Sequence, residues 1–128
     1  MTVRVEDLAR LREGMTLADA QSALQTSERP VAEQDDDVVL HLLKAPEHGV
    51  EVFFKDDTVD TVAFRRPFSG AVRGVRIGAT TDDVERMLGD PQREWPIEDG
   101  VRRWIYEDPE FIRVDFDPQT DTVDTIYR

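Results

Sequence analysis

The stretch VRIGATTDDVERMLGDP, residues 75–91, constrains the fold more than any other part of the chain. Gly78 opens a turn and Thr80 stands three residues before Asp83. That is the spacing of a capping box, in which the threonine oxygen accepts a free backbone N–H at the helix start. Val84, Met87 and Leu88 then supply an apolar stripe at helical spacing. Gly89 offers the left-handed conformation that closes a helix, and Pro91 forbids its continuation. Asp82 and Asp83 also oppose the positive end of the helix dipole.

The same unit occurs earlier, as LREGMTLADAQSALQT at residues 11–26. Arg12, Gly14, Thr16, Asp19 and Leu24 fall on Arg76, Gly78, Thr80, Asp83 and Leu88 at a constant offset. The likeness continues downstream. Pro46-Glu47 corresponds to Pro109-Glu110, and Val50, Val52 and Phe54 to Ile112, Val114 and Phe116. Thr58-Val59-Asp60-Thr61-Val62 corresponds to Thr122-Val123-Asp124-Thr125-Ile126, after two extra residues around Pro118-Gln119. Matches in order across a helix and three strands indicate an internal duplication.

Reading in order, residues 5–12 form a short helix with Leu8 and Leu11 at i, i+3, and the Thr16-capped helix follows. Residues 27–37 are polar, contain Pro30 and end on Asp35-Asp36-Asp37, which reads as a loop. Residues 38–43, 50–54 and 58–64 are strands separated by short turns, an antiparallel meander. After a Gly/Pro-rich connection and the second capped helix, residues 95–100 read as a loop carrying Trp95. Residues 102–106, 111–116 and 122–127 then form a second meander. The expected class is therefore α+β. Residues 1–66 and 67–128 are two tandem units, each a helix plus a three-stranded meander, sharing one core because neither buries enough surface alone.

Composition limits the function. A formal net charge of −12 and a pI near 4.5 disfavour nucleic acid and anionic lipid, and fit a basic protein partner. There is no cysteine, which removes disulfides, thiolate chemistry and cysteine-linked lipid anchors. No apolar run resembles a signal peptide or a membrane span, so the expected compartment is the cytoplasm.

The pattern Gly78, Thr80, Asp83, Val84, Leu88, Gly89, Pro91, followed by a strand with Trp104 and Tyr106, resembles the BamE (SmpA/OmlA) family. In tandem it is also similar to the β-lactamase inhibitor protein fold. The resemblance implies two such units forming a sheet, and a tendency to bind proteins rather than to catalyse. BamE proteins are lipoproteins and the tandem inhibitors are secreted and disulfide-bonded. A chain without cysteine departs from both, and their specific roles are not carried over.

Catalytic and metal readings lack context. Asp115, Asp117, Gln119 and Asp121 alternate as in a calcium loop, but Thr120 and Ile126 stand where that loop needs glycine and glutamate. They read as a strand entering a turn with solvated acids. His41 and His48 cannot make a zinc site without further ligands. Ser22, Ser27 and Ser69 sit in no nucleophile motif, and Gly70, Gly74 and Gly78 form no phosphate loop. Acidic pairs such as Glu98-Asp99, Glu107-Asp108 and Asp56-Asp57 are expected in so acidic a chain. No cofactor and no enzymatic activity are expected.

Two features point to recognition. Trp95, beside Pro96, either caps the core or anchors an interface. The acidic segments Glu33, Asp35, Asp36, Asp37 and Glu98, Asp99 fall at equivalent places between helix and first strand, where they form a rim for a basic partner or remain solvated loops. The expected function is a non-enzymatic, acidic, cytosolic inhibitor or immunity-type protein that masks a basic toxin or nuclease. The alternative is a small-molecule sensor or carrier with an apolar pocket at Trp104 and Tyr106. Gly14, Thr16, Asp19, Gly78, Thr80, Asp83, Gly89 and Pro91 are scaffold. Oligomeric state is not legible.

Overall fold

In the computed structural model, which describes residues 2–96 and 100–128, strand pairing dominates. Helix α1 (Val5–Ala9) and helix α2 (Leu17–Leu24) come first. Strands β1 (Val31–Asp35), β2 (Val38–Ala45), β3 (Val50–Lys55) and β4 (Thr58–Arg65) follow. A two-stranded ribbon, β5 (Ala71–Val72) with β6 (Val75–Arg76), leads to helix α3 (Thr81–Leu88). The chain then forms β7 (Arg93–Pro96), β8 (Arg102–Tyr106), β9 (Ile112–Phe116) and β10 (Val123–Tyr127).

The expected class of two helix-plus-three-stranded-meander units is overturned. The described residues are mostly β, with one eight-stranded antiparallel sheet in the order β1-β2-β3-β4-β10-β9-β8-β7 and three short α-helices. Each half of the chain contributes four strands, because two segments read as loops are strands. Asp36, at φ 52°, lets Asp36-Asp37 turn in two residues, so that Val31–Asp35 folds back on Val38–Leu42. Asp and Asn tolerate this left-handed conformation better than other non-glycine residues. On the other side, Arg93–Pro96 pairs with Arg102–Ile105 at the sheet edge, where the missing N–H of proline is tolerated.

The halves join edge to edge. Thr125, Ile126 and Tyr127 of β10 face Arg65, Phe64 and Ala63 of β4, and Val62 and Arg128 exchange two backbone hydrogen bonds of 2.8 Å.

Both capping boxes form. Thr16 Oγ1 accepts from the Asp19 N–H at 3.0 Å and Asp19 accepts from the Thr16 N–H; Thr80 and Asp83 repeat this at 3.2 and 3.1 Å. Gly14 and Gly78, at φ +92° and +91°, do the same work. Their N–H groups donate to the carbonyls of Val59 and Val123, and Met15 and Ala79 accept from those same two residues. Each helix start is thereby tied to the last strand of its half.

The stop of α3 differs from expectation. Gly89 takes φ 80°, ψ −163°, outside the left-handed helical region, and donates to the Glu85 carbonyl. Met87, expected in the buried stripe, is 54% exposed; Val84 alone of that stripe is fully buried.

The helices cover one face of the sheet. Leu8, Leu17, Ala20, Leu24 and Val84 pack over Val52, Phe64, Val114, Phe116 and Ile126. Trp104 meets Phe116 edge-on at 4.9 Å between ring centroids. Among the described residues no helix is long and apolar enough to cross a membrane.

Candidate functional site

Residues alternate across a strand, so every core residue facing the helices leaves neighbours on the opposite face. Ile112, Val114 and Phe116 point into the core, which places Arg113 and Asp115 outside it. Register then aligns Trp95, Arg103, Asp115, Thr125 and Arg65 in one row across five strands of this outer face. A parallel row runs through Ile105, Arg113, Tyr127, Ala63, Glu51 and Lys44. The outer face divides into two districts of different character.

The first lies on β1–β3. Val31, Val38 and Val39 are 63%, 57% and 51% exposed. Val38 and Val39 have opposite facing, so both sides of the hairpin tip stand in solvent, beyond the layer the helices cover. Asp35, Asp36 and Asp37 adjoin Val38 and Val39 at the tip, Glu33 stands farther along β1 and Val31 at its start opposite Leu42, and all four acids are exposed. On the outer face, Glu33, Asp35 and Glu51 rim a trough of about 440 Å³ whose floor is Leu40, Leu42 and Phe53. Lys44 donates to Glu33 at 2.8 Å, and that hydrogen bond holds its ammonium above the ordinary lysine value. Arg65 pairs with Glu51 at 2.9 Å.

The second district spans the seam between the halves. Asp115 and Thr125, 7% and 6% exposed, are the two buried polar side chains among the described residues. Arg113 donates to both Asp115 oxygens, from Nε at 2.9 Å and from Nη2 at 2.8 Å, and Arg103 Nε adds a third bond at 3.2 Å. The Asp115 bond raises the guanidinium pKa of Arg113 against the opposing effect of burial. Arg113 also stacks over the Tyr127 ring at 4.4 Å. A cleft of about 460 Å³ opens above this floor, walled by Arg65, Arg66, Arg103, Asp117, Asp124 and Tyr127.

The residues singled out in the sequence are therefore partly reassigned. Glu33, Asp35, Asp36 and Asp37 lie on a β-hairpin, not in a loop. Trp95 lies on edge strand β7, 48% exposed, with the Arg93 guanidinium 5.5 Å from its ring; it does not cap the core. Glu98 and Asp99 lie outside the described residues. Asp115 is not a solvated acid. Trp104 and Tyr106, 5% and 4% exposed, are core packing, with the Tyr106 hydroxyl donating to the Gly89 carbonyl at 2.8 Å. Both cavities lie on the other face.

Arg65, Arg103, Arg113 and Thr125 escaped the sequence reading. One signal was present: Arg113 and Asp115, at i and i+2 within an alternating strand, put opposite charges on the face away from the core. Among the described residues no group of three or more His, Asp or Glu is placed to hold a metal ion.

No family model matches the chain, and no curated protein does. Among solved structures, the chain is similar to a cysteine-rich secretory protein of Staphylococcus aureus, with a TM-score of 0.57 at 14% identity, covering 90% of this chain. The chain spans only 42% of that neighbour's length. A DUF4309 family protein, YjgB, of Bacillus subtilis aligns with a TM-score of 0.49 at 19% identity, over 88% of this chain and 76% of the other. The first likeness is one of fold alone.

Proposed function

We propose that the chain is a non-enzymatic protein-binding module, an acidic inhibitor or immunity-type protein that masks a basic partner through its β1–β2 hairpin. The observation that carries this reading is the hairpin tip. Val38 and Val39 are exposed on its two sides, beside Asp35, Asp36 and Asp37, and Glu33 and a third exposed valine, Val31, lie farther along β1 towards its start. Isolated surface valines need no explanation, but apolar side chains grouped on a projecting edge favour burial against a partner. The surrounding carboxylates set the sign of that partner. Lysine and arginine side chains approaching them gain in encounter rate more than in final affinity. The resemblance of the tandem helix motif to inhibitor proteins belongs to the same proposal.

The test compares wild type with an E33K/D35K/D37K variant, each immobilised and exposed to lysate of the native organism. The reading expects one basic protein, retained in stoichiometric amount by wild type and lost from the variant. Its association rate should fall steeply as salt is raised past the point where the Debye length drops below ~10 Å. Retention of no stoichiometric partner at low salt, or equal retention by the variant, sinks the proposal.

A further inference from the structure

The cleft over the seam has a chemistry that the hairpin proposal does not use. Its floor is the buried pair Asp115 and Thr125. Burying a carboxylate costs several kcal/mol, and an ion pair made in compensation rarely does better than apolar packing of the same volume. On the core face the same strands use valine, isoleucine and phenylalanine. The outer row instead spends a buried aspartate and two arginines on positions where apolar residues would serve the scaffold as well. Departures of this kind concentrate at binding sites.

The walls are charged in both senses without neutralising each other. Arg66 makes no hydrogen bond or ion pair among the described residues. Asp124, which lines the same cleft, accepts among the described residues only from the hydroxyl of its neighbour Thr125, at 3.1 Å. Asp117 accepts from the backbone N–H of Gln119. Arg103 commits Nε to Asp115, and its terminal nitrogens make no hydrogen bond among the described residues. A simple anion entering the cleft meets Asp117 and Asp124 in a chain already at −12; a simple cation meets Arg65, Arg66 and Arg103. A molecule carrying both charges satisfies both walls. The volume of about 460 Å³ lies within the range of small-ligand clefts, and Pro118 and Tyr127 offer apolar surface for a side chain.

We infer that this cleft binds a small zwitterion, an α-amino acid or the free dipeptide form of one. Arg66 and Arg103 hold its carboxylate, and Asp117 and Asp124 hold its ammonium group. The site is separate from the hairpin, so its failure leaves the basic-partner proposal untouched.

The test is an NMR titration of the full chain with glycyl-phenylalanine, phenylalanine, and the N-acetylated and C-amidated forms of the dipeptide. Saturable shifts are expected at residues 65–66, 103, 115–118 and 124–127 with the free zwitterions, and the tighter of the two identifies the source. Each blocked form should bind about tenfold more weakly. An R66Q variant, which loses no internal bond and should melt with wild type, is expected to weaken the dipeptide about tenfold and leave the amidated form unchanged. Equal binding of the acetylated form would overturn the zwitterion assignment. Absence of any saturable shift at about 10 mM overturns the site altogether.

Discussion

Arg113 reaches two residues along its own strand and holds Asp115 by both carboxylate oxygens, at 2.9 and 2.8 Å. The geometry is the bidentate fork that makes arginine–carboxylate pairs stronger than neutral hydrogen bonds. Here it occupies the middle of a β-sheet, with Arg103 on the far side and only 7% of Asp115 exposed.

Removing Asp115 strands two part-buried guanidinium groups without compensation. D115A is expected to lower unfolding free energy by about 3 kcal/mol, the lower end for breaking a buried pair, since both arginines retain some solvent. A D115L/R113M double variant should recover much of the loss by replacing charge with packing. Urea denaturation of the three proteins gives both comparisons.

The helix caps give smaller, additive effects. T16A and T80A should each cost about 1 kcal/mol, and the double variant about twice that, because the two boxes share no partner. A double variant much worse than the sum would mean that the helix starts are coupled through the sheet. Thermal melts at neutral pH decide.

Asp83 adds a pH signature. Its carboxyl is held below the ordinary aspartate value, first by the Thr80 backbone N–H, then by the Thr80 hydroxyl, and further by Arg86. A lowered folded pKa means that the unfolded chain binds the proton more readily. The cap is therefore fully stabilising above about pH 4 and fades as pH falls through the lowered folded value. The stability gap between wild type and D83N should close in that acid window and stay constant above it.

Tyr106 behaves in the opposite sense. Burial first, then the nearby Glu85 and Asp90, push its phenol up to about 12. The folded state keeps a proton that the unfolded chain releases near pH 10, so this contribution is whole below 10 and is lost as pH climbs towards 12. Absorbance titration should show one tyrosine ionising near pH 12. Y106F should remove that phase and cost about 1 kcal/mol at neutral pH by deleting the hydroxyl bond to Gly89.

Gly49 separates two uses of glycine. At φ +71°, a Cβ there would lie 2.0 Å from the Arg65 carbonyl oxygen and 2.6 Å from the Phe68 nitrogen, both backbone. G49A should therefore prevent folding or cost more than about 3 kcal/mol. At Gly14 and Gly78 a Cβ meets nothing within 4 Å. Alanine there should cost only the backbone strain, about 1–2 kcal/mol. Circular dichroism of the three variants distinguishes the cases.

What the sequence disclosed follows from where its signals are strong. Thr16-x-x-Asp19 and Thr80-x-x-Asp83 are local chemistry, and both helices start where the spacing puts them. The six inner strands carry alternating or continuous apolar residues and were readable. β1 and β7 were not, because an edge strand buries little: all five residues of β1 are exposed, so no period marks them. Asp35-Asp36-Asp37 read as a loop on composition, whereas Asp36 in a left-handed conformation makes the same residues a hairpin tip. The missed strands changed the class from paired meanders to one sheet. The seam row was hidden for another reason. Arg103 meets Asp115 across β8 and β9, but Arg65 joins them only through the pairing of β4 with β10, between residues some sixty positions apart in sequence.

The strand order reads outward from the middle in the same sequence on both sides: each half places its last strand at the centre and its first strand at a rim. Change is therefore tolerated unequally along the chain. A substitution in β4 or β10 is felt by both halves, while one in β1 or β7 touches a single neighbour. A lineage of such proteins can rewrite its two rims while the central strands stay under constant selection. Divergence should then run in bands across the sheet, steepest at the β1–β2 hairpin and at Trp95 and shallowest around Val62 and Ile126.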